Sequence, residues 1–187
     1  MSLKTWLTAA CTLMLAASVQ AEALKLVFTG DIMLDDGPGR LIGKGGDPLL
    51  LFSAILQDAD YRIGNLECAI AESGNQIDNK IYNFRAKPRV MRILKGRIDA
   101  VSLANNHAGD FGHEAFRETM HHLGQAGIQY FGGGRNLSEA HKPLWIERKG
   151  LKIAVLGYNE FKPRSFEAGA EWPGVAWSED DHVIADI

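Results

Sequence analysis

Cysteine is nearly absent from this 187-residue chain, which carries only Cys11 and Cys68. Cys11 lies in an apolar leading segment. Once that segment is removed a single thiol is left, and no internal disulfide can form. Such a domain depends on its core, or on bound metal, for stability. Runs of one charge are also missing. Lys and Arg number 20 against 23 Asp and Glu, for a formal net charge of −3. No basic stretch offers the electrostatic footprint that nucleic acid needs, so a nucleic-acid partner is excluded. No apolar run reaches the roughly 20 residues of a spanning helix, and there is neither an internal repeat nor a low-complexity segment.

What is present begins with a leader. Lys4 is a short positive region, Trp6 to Ala17 is apolar, and Val19-Gln20-Ala21 is a small-residue cleavage signal. Residues 1–21 therefore read as a secretory signal peptide cut near Ala21, and the product is expected to be exported, periplasmic or extracellular. Lipidation at Cys11 is not expected, because Thr8 stands where a lipoprotein signal has leucine. The remaining residues, 22–187, fit one domain able to bury a real core.

Hydrophobic periodicity predicts alternating strands and helices. Leu24–Thr29 is an apolar run ending in Gly30-Asp31, expected as a buried central strand. Residues 35–46, rich in Gly and Asp, read as a flexible loop. Asp47-Pro48 opens a helix with Leu50, Leu51, Ala54 and Ile55 as its apolar stripe. Tyr61-Arg62-Ile63 is a second strand, ending in Gly64-Asn65-Leu66-Glu67. Lys87-Pro88 begins another helix that stops at Gly96. A third strand, Ile98–Leu103, runs into Asn105-Asn106-His107. Phe111–Ala126 is an amphipathic helix closed by Gly127, with Asp110 as its expected cap. A fourth strand, Ile128–Phe131, precedes Gly132–Arg135 and a short helix capped by Asn136. Lys149-Gly150 between Leu144–Arg148 and Leu151–Leu156 is a two-residue hairpin signal. The last residues, from Ser178, begin a helix. The expected class is α/β, a mixed sheet with helices on its faces.

Three strand ends carry acceptors: Asp31, the Asn65–Glu67 pair, and Asn105-Asn106-His107. In a parallel sheet such ends line one edge, where open α/β folds keep their sites. Carboxylate, amide oxygen and imidazole suit divalent Mn, Fe or Zn. Such ions polarise a phosphoryl oxygen and generate hydroxide near neutral pH. A histidine beside them can protonate a leaving oxygen. Gly132–Arg135 before Asn136 also forms a candidate anion nest, with Arg135 facing a phosphate or carboxylate.

Phe28–Leu34, Gly64–Glu67, Ser102–Gly112 and Gly132–Asn136 with Glu139-Ala140 and Pro143 together resemble the CapA family, named for capsule and poly-γ-glutamate synthesis. That family is similar to the calcineurin-like metallophosphoesterases, whose fold is a four-layer sandwich. The resemblance implies Asp31 as ligand of a first metal and Glu67, or else Asn65, as the bridging group. It implies Asn106 as ligand of a second metal and His107 as proton donor; Asn105 and Arg135 are the candidate substrate-binding residues. It also implies an anionic polymer or phosphoester substrate and capsule-synthesis membrane subunits as partners. Two departures accompany it. Met33 stands where metallophosphoesterases have a histidine, and thioether is a poor ligand for hard ions. The family's later histidine motifs are absent from these 187 residues, which leads us to expect a domain incomplete at its C-terminus. Two other readings stay open: a non-catalytic assembly protein that binds polymer or synthase on the same fold, and a periplasmic phosphoesterase of nucleotidase type.

Overall fold

The computed structural model describes residues 22–162 and 164–187. The leader and Cys11 lie outside them. At the centre are four parallel strands: β1 (Leu26–Ile32), β2 (Tyr61–Leu66), β5 (Ala100–Ser102) and β6 (Gln129–Phe131), in the order β1-β2-β5-β6. The registers pair Val27 with Arg62, Ile63 with Ala100, and Val101 with Tyr130. All four strands therefore end on the same side, as the alternation of strand and helix requires. Antiparallel pairing occurs in separate ladders. β8 (Leu144–Arg148) pairs with β9 (Leu151–Val155), and β7 (Gly133–Gly134) pairs with β10 (Gly174–Val175). A short parallel pair joins β3 (Ala69–Ile70) to β4 (Arg85–Ala86). The arrangement is α/β, with the parallel and antiparallel parts segregated.

The main core lies where the parallel strands meet the helices. Leu66, Ile70, Leu94, Val101, Leu103, Phe116 and Leu123 are its innermost members. Phe116, Met120 and Leu123 come from α4 (Gly112–Ala126), whose apolar stripe has helical spacing. Gly127, at φ 72°, ends that helix in the left-handed conformation expected of a C-terminal glycine. The hairpin turn is also as expected: Lys149 and Gly150 both have positive φ, 49° and 76°, the pattern of a primed two-residue turn.

Several expectations are corrected. β1 is an edge strand of the described sheet, not a central one, and Phe28 on it is 65% exposed. Residues 36–43, read as loop, form α1 (Asp36–Gly43). Its glycines argue against a helix locally, but Ile42 is buried in the core and its carbonyl accepts from Arg92 Nη2 at 2.7 Å. Tertiary packing thus overrides propensity. Asp47 caps no helix: it accepts from the Leu49 amide at 2.9 Å within a turn, Leu49 holds the cap position of the 3₁₀ turn that follows, and α2 spans only Ser53–Asp58. Leu50, Leu51 and Ile55, expected on a buried face, are exposed, and Leu56 is the residue that α2 buries. α3 (Met91–Leu94), α5 (Leu137–Ala140) and α6 (Asp180–Asp186) complete the helices of the described residues.

Candidate functional site at the strand tips

The tips of β1, β2 and β5 converge. β1 carries an irregularity between Phe28 and Asp31, where its register against β2 shifts and Gly30 takes φ 72°. A bulge beside a site re-aims the side chain that follows it, here Asp31. Asp31 Oδ1 accepts from Asn65 Nδ2 at 2.9 Å, and Asn65 Oδ1 accepts from Asn105 Nδ2 at 2.9 Å. Asn105 Nδ2 also reaches the Leu66 carbonyl at 2.9 Å, and Asn105 Oδ1 accepts the His107 amide at 3.0 Å. One relay of amides therefore ties three strand ends together and sets the turn that presents His107. Both ends of the Asn105 amide are spent inside this relay, as is the Asn65 oxygen. These hydrogen bonds tie Asn65 and Asn105 into the shape of the site.

Glu67 follows Leu66, its backbone amide donating to the Ile32 carbonyl at 3.0 Å. Burial, and then the neighbouring Asp31 carboxylate, push the Glu67 carboxyl above its ordinary range, partly offset by His107 and Lys80. Two carboxylates crowded together are an arrangement that a cation relieves. The partly exposed Asn106 side chain makes no hydrogen bond within the described residues. It is therefore free to serve a ligand.

Three residues that sequence reasoning did not place in the site complete it. Asp110 was expected to cap α4, but the residue at that cap is Phe111, with no side-chain cap. Asp110 is instead wholly buried and turned toward His107, its Oδ2 lying 2.8 Å from His107 Nδ1 and accepting the Phe84 amide at 2.7 Å. Lys80 forms a short ion pair with the other Asp110 oxygen. Lys80 Nζ also donates to the Asn106 carbonyl at 2.6 Å and lies 3.2 Å from His107 Nδ1. The Phe84 ring packs on the His107 ring at 4.5 Å between centroids. The signal for Asp110 was its spacing, three residues after His107. Lys80 and Phe84 come from a polar loop and had no local signal.

Arg135 stands apart from the tips. It is exposed, and its backbone amide and Nε both donate to Glu139 Oε2, at 3.0 and 2.7 Å. Among the described residues it has no hydrogen bond or ion pair to any tip residue. Met33 is partly buried and packs against the core. Cys68 beside Glu67 is sealed: burial pushes its thiol up to about 12.

Asp31, Glu67 and the Asn106 amide are hard oxygen donors. Oxygen donors of this kind are the type a hard divalent ion takes. Among the described residues no group of three or more His, Cys, Asp or Glu encloses a common point that could hold a metal.

Comparison with known proteins agrees on one family. The family described as bacterial capsule synthesis protein PGA_cap matches residues 25–187. The PGA biosynthesis protein CapA of Bacillus subtilis is 29% identical over 175 residues, covering 89% of this chain and 45% of the relative. The capsule biosynthesis protein CapA of Bacillus anthracis is 24% identical over 176 residues, covering 89% and 42%. A Mycobacterium tuberculosis protein named as a probable polyglutamine synthesis accessory protein is 31% identical over 141 residues, covering 72% and 37%. The chain spans less than half the length of these curated relatives.

Proposed function

The chain belongs to the bacterial capsule synthesis protein family PGA_cap, and from that premise we propose that it acts in the synthesis or processing of an exported anionic polymer. The chemistry proposed is metal-assisted hydrolysis or transfer at the strand tips, on a phosphoryl or amide centre. The observation that carries it is the crowding of the Asp31 and Glu67 carboxylates beside His107. In this reading Asp31, Glu67 and Asn106 hold a divalent ion, Mn, Fe or Zn. Such an ion, when bound, supplies polarisation of the reacting oxygen. Asp110 engages His107 Nδ1. That leaves Nε2 as the nitrogen free to exchange a proton with the leaving group. Asn65 and Asn105 keep the tips in register.

The finer parts of the reading follow the same premise. The fold extends the α/β arrangement to the calcineurin-like sandwich. The leader directs export, which recovery of a product beginning at Glu22 from periplasm or medium would check. Membrane subunits of a polymer synthase are the proposed partners. The test of the chemistry is direct. Purified protein should bind Mn or Zn in calorimetry and hydrolyse a generic phosphoester or poly-γ-glutamate. His107→Ala should keep the metal and lose about 10²–10⁴ in turnover. Absence of metal binding, or full turnover in His107→Ala, overturns the mechanism. Met33, standing where a histidine ligand is expected, favours a second reading, polymer binding without turnover. Polymer binding with neither metal nor hydrolysis would establish it.

A further inference from the structure

We propose that His141 and His182 form a cation site separate from the strand tips, for a divalent ion that prefers nitrogen, such as Zn²⁺, and that the ion pins α6 to the end of α5. His141 directly follows α5, and His182 lies on α6. Their rings meet edge to face, 5.0 Å between centroids and 78° between planes. The His141 side chain is 10% exposed. Among the described residues, three buried side-chain polar atoms have no hydrogen-bond partner, and two of the three are His141 Nε2 and His182 Nδ1. Buried polar atoms are nearly always satisfied. Two unmet nitrogens on neighbouring rings therefore point to a ligand from outside the chain.

The surroundings of His141 set its tautomer. His141 Nδ1 lies 2.7 Å from Asp186 Oδ2, which also accepts the Tyr158 hydroxyl at 2.8 Å. A carboxylate is met by an N–H, so neutral His141 carries its proton on Nδ1 and presents a lone pair at Nε2. Metal-ligating histidines are held in this way, the far ring nitrogen donating to a carboxylate. His182 Nδ1 does not answer that lone pair, since no hydrogen bond joins the two rings. A cation shared by two lone pairs satisfies both nitrogens. Imidazole suits Zn, Cu and Ni, whereas Mg, Ca and Mn take oxygen, so this site differs in kind from the oxygen donors at the tips. His141, Tyr158, His182 and Asp186 bond and stack with one another and with no tip residue among the described residues. The proposal therefore stands without the strand-tip chemistry. Two imidazoles are fewer than the four ligands of a closed structural zinc centre, so the ion is held weakly and exchanges. Its effect falls on α6, which has seven residues and none fully buried, too few to hold a helix by themselves. Asp186 already ties α6 to His141 and Tyr158. His182 stands one turn earlier on the same face, and the ion adds a second tie there.

The test separates the two sites by removing the tip donors. In an untagged Asp31→Asn, Glu67→Gln background, Zn²⁺ and its spectroscopic substitute Co²⁺ are titrated by calorimetry and visible absorption, with Mg²⁺ as comparator. This chain should take up Zn²⁺, release it as falling pH protonates the imidazoles, and ignore Mg²⁺. Hydrogen exchange of the α6 amides should slow in the loaded chain. Asp186→Ala, which frees the His141 ring, should weaken uptake about 10–100-fold, and His182→Gln at least as much. His182→Gln leaves the Asp186 contacts in place, and unfolding curves would check that it folds. Unchanged Zn²⁺ uptake in His182→Gln overturns the proposal. So does no uptake in the tip-disabled chain, Mg²⁺ bound as tightly as Zn²⁺, or α6 exchange indifferent to Zn²⁺. Uptake here with a failed turnover assay would refute the strand-tip chemistry alone, and turnover in the parent with no uptake in the tip-disabled chain would refute this site alone.

Discussion

Asp110→Ala is the perturbation that most directly probes the architecture behind His107. The Asp110 carboxylate has no exposure and accepts from the Phe84 amide, from Lys80 and across 2.8 Å from His107 Nδ1. Truncation leaves the Phe84 N–H buried without an acceptor, a loss of about 1–3 kcal/mol. It also leaves the Lys80 ammonium without its counter-charge. Removing one partner of a fully buried pair costs roughly 3–5 kcal/mol. Lys80 keeps the Asn106 carbonyl, and its side chain is 22% exposed, so water offsets part of that cost. The two losses overlap because the same carboxylate serves both donors. We expect a net destabilisation of about 3–4 kcal/mol, or roughly 10 °C in Tm for a domain of this size.

The assay is urea and thermal unfolding of the parent, Asp110→Ala, Lys80→Met and the double variant. Lys80→Met alone should cost less, because the carboxylate it strands still has the Phe84 amide and His107. The double variant should be better than the sum of the singles by about 1–3 kcal/mol, since no unpaired buried charge remains. Asp110→Asn should fall between parent and alanine, keeping one oxygen for the Phe84 amide while presenting an amide to Lys80. Asp110→Ala within about 0.5 kcal/mol of the parent would refute the reasoning, as would a coupling energy near zero. Either result would mean that Asp110 is not the acceptor that joins the Lys80 loop to His107.

Glu118 offers a pH-dependent test. Burial opposes its charge, but the Ser73 hydroxyl, the Ser73 and Glu72 amides and His122 outweigh it and hold the carboxyl down from 4.5 to about 2. The folded value lies below the unfolded one, so the stabilisation is present above pH 4.5 and is lost as pH falls toward 2. Glu118→Gln should cost about 2 kcal/mol at pH 7 and flatten the acid limb of the stability profile between those values; an unchanged profile by urea titration would contradict this. Gly64→Ala tests the spacing of β2 against the edge strand β1, because a Cβ there would sit 2.3 Å from Ile32 Cδ1 and 2.7 Å from Thr29 Oγ1. It should destabilise by roughly 1–3 kcal/mol, with partial recovery in combination with Ile32→Val, and a neutral Gly64→Ala would show that β1 can move aside.

Much of the fold could be read from local pattern. The β2, β5 and β6 runs, the α4 stripe with Gly127, the Asn136 cap and the Lys149-Gly150 turn are short-range features, and each appears as expected: Asn136 Oδ1, for example, accepts the Glu139 amide at 2.9 Å. α1 was not legible because its glycines speak for a loop, and only the distant burial of Ile42 and the Arg92 contact hold it helical. The exposure of Leu50, Leu51 and Ile55 was equally hidden, since periodicity reports a stripe but not what the stripe faces.

At the tips, the sequence alone determined which chemical groups are available and that parallel strands would bring Asp31, Asn65, Glu67 and Asn105–His107 to one edge. That follows from alternation and connection rules, which act along the chain. Tertiary structure decided the contacts. It spent Asn65 and Asn105 on a relay, turned Arg135 to Glu139, freed the Asn106 side chain, and placed Asp110, Lys80 and Phe84 behind and over His107. Those contacts join residues up to 40 positions apart. Their formation depends on which groups are desolvated together and which partner reaches each one first, and no local pattern along the chain encodes that.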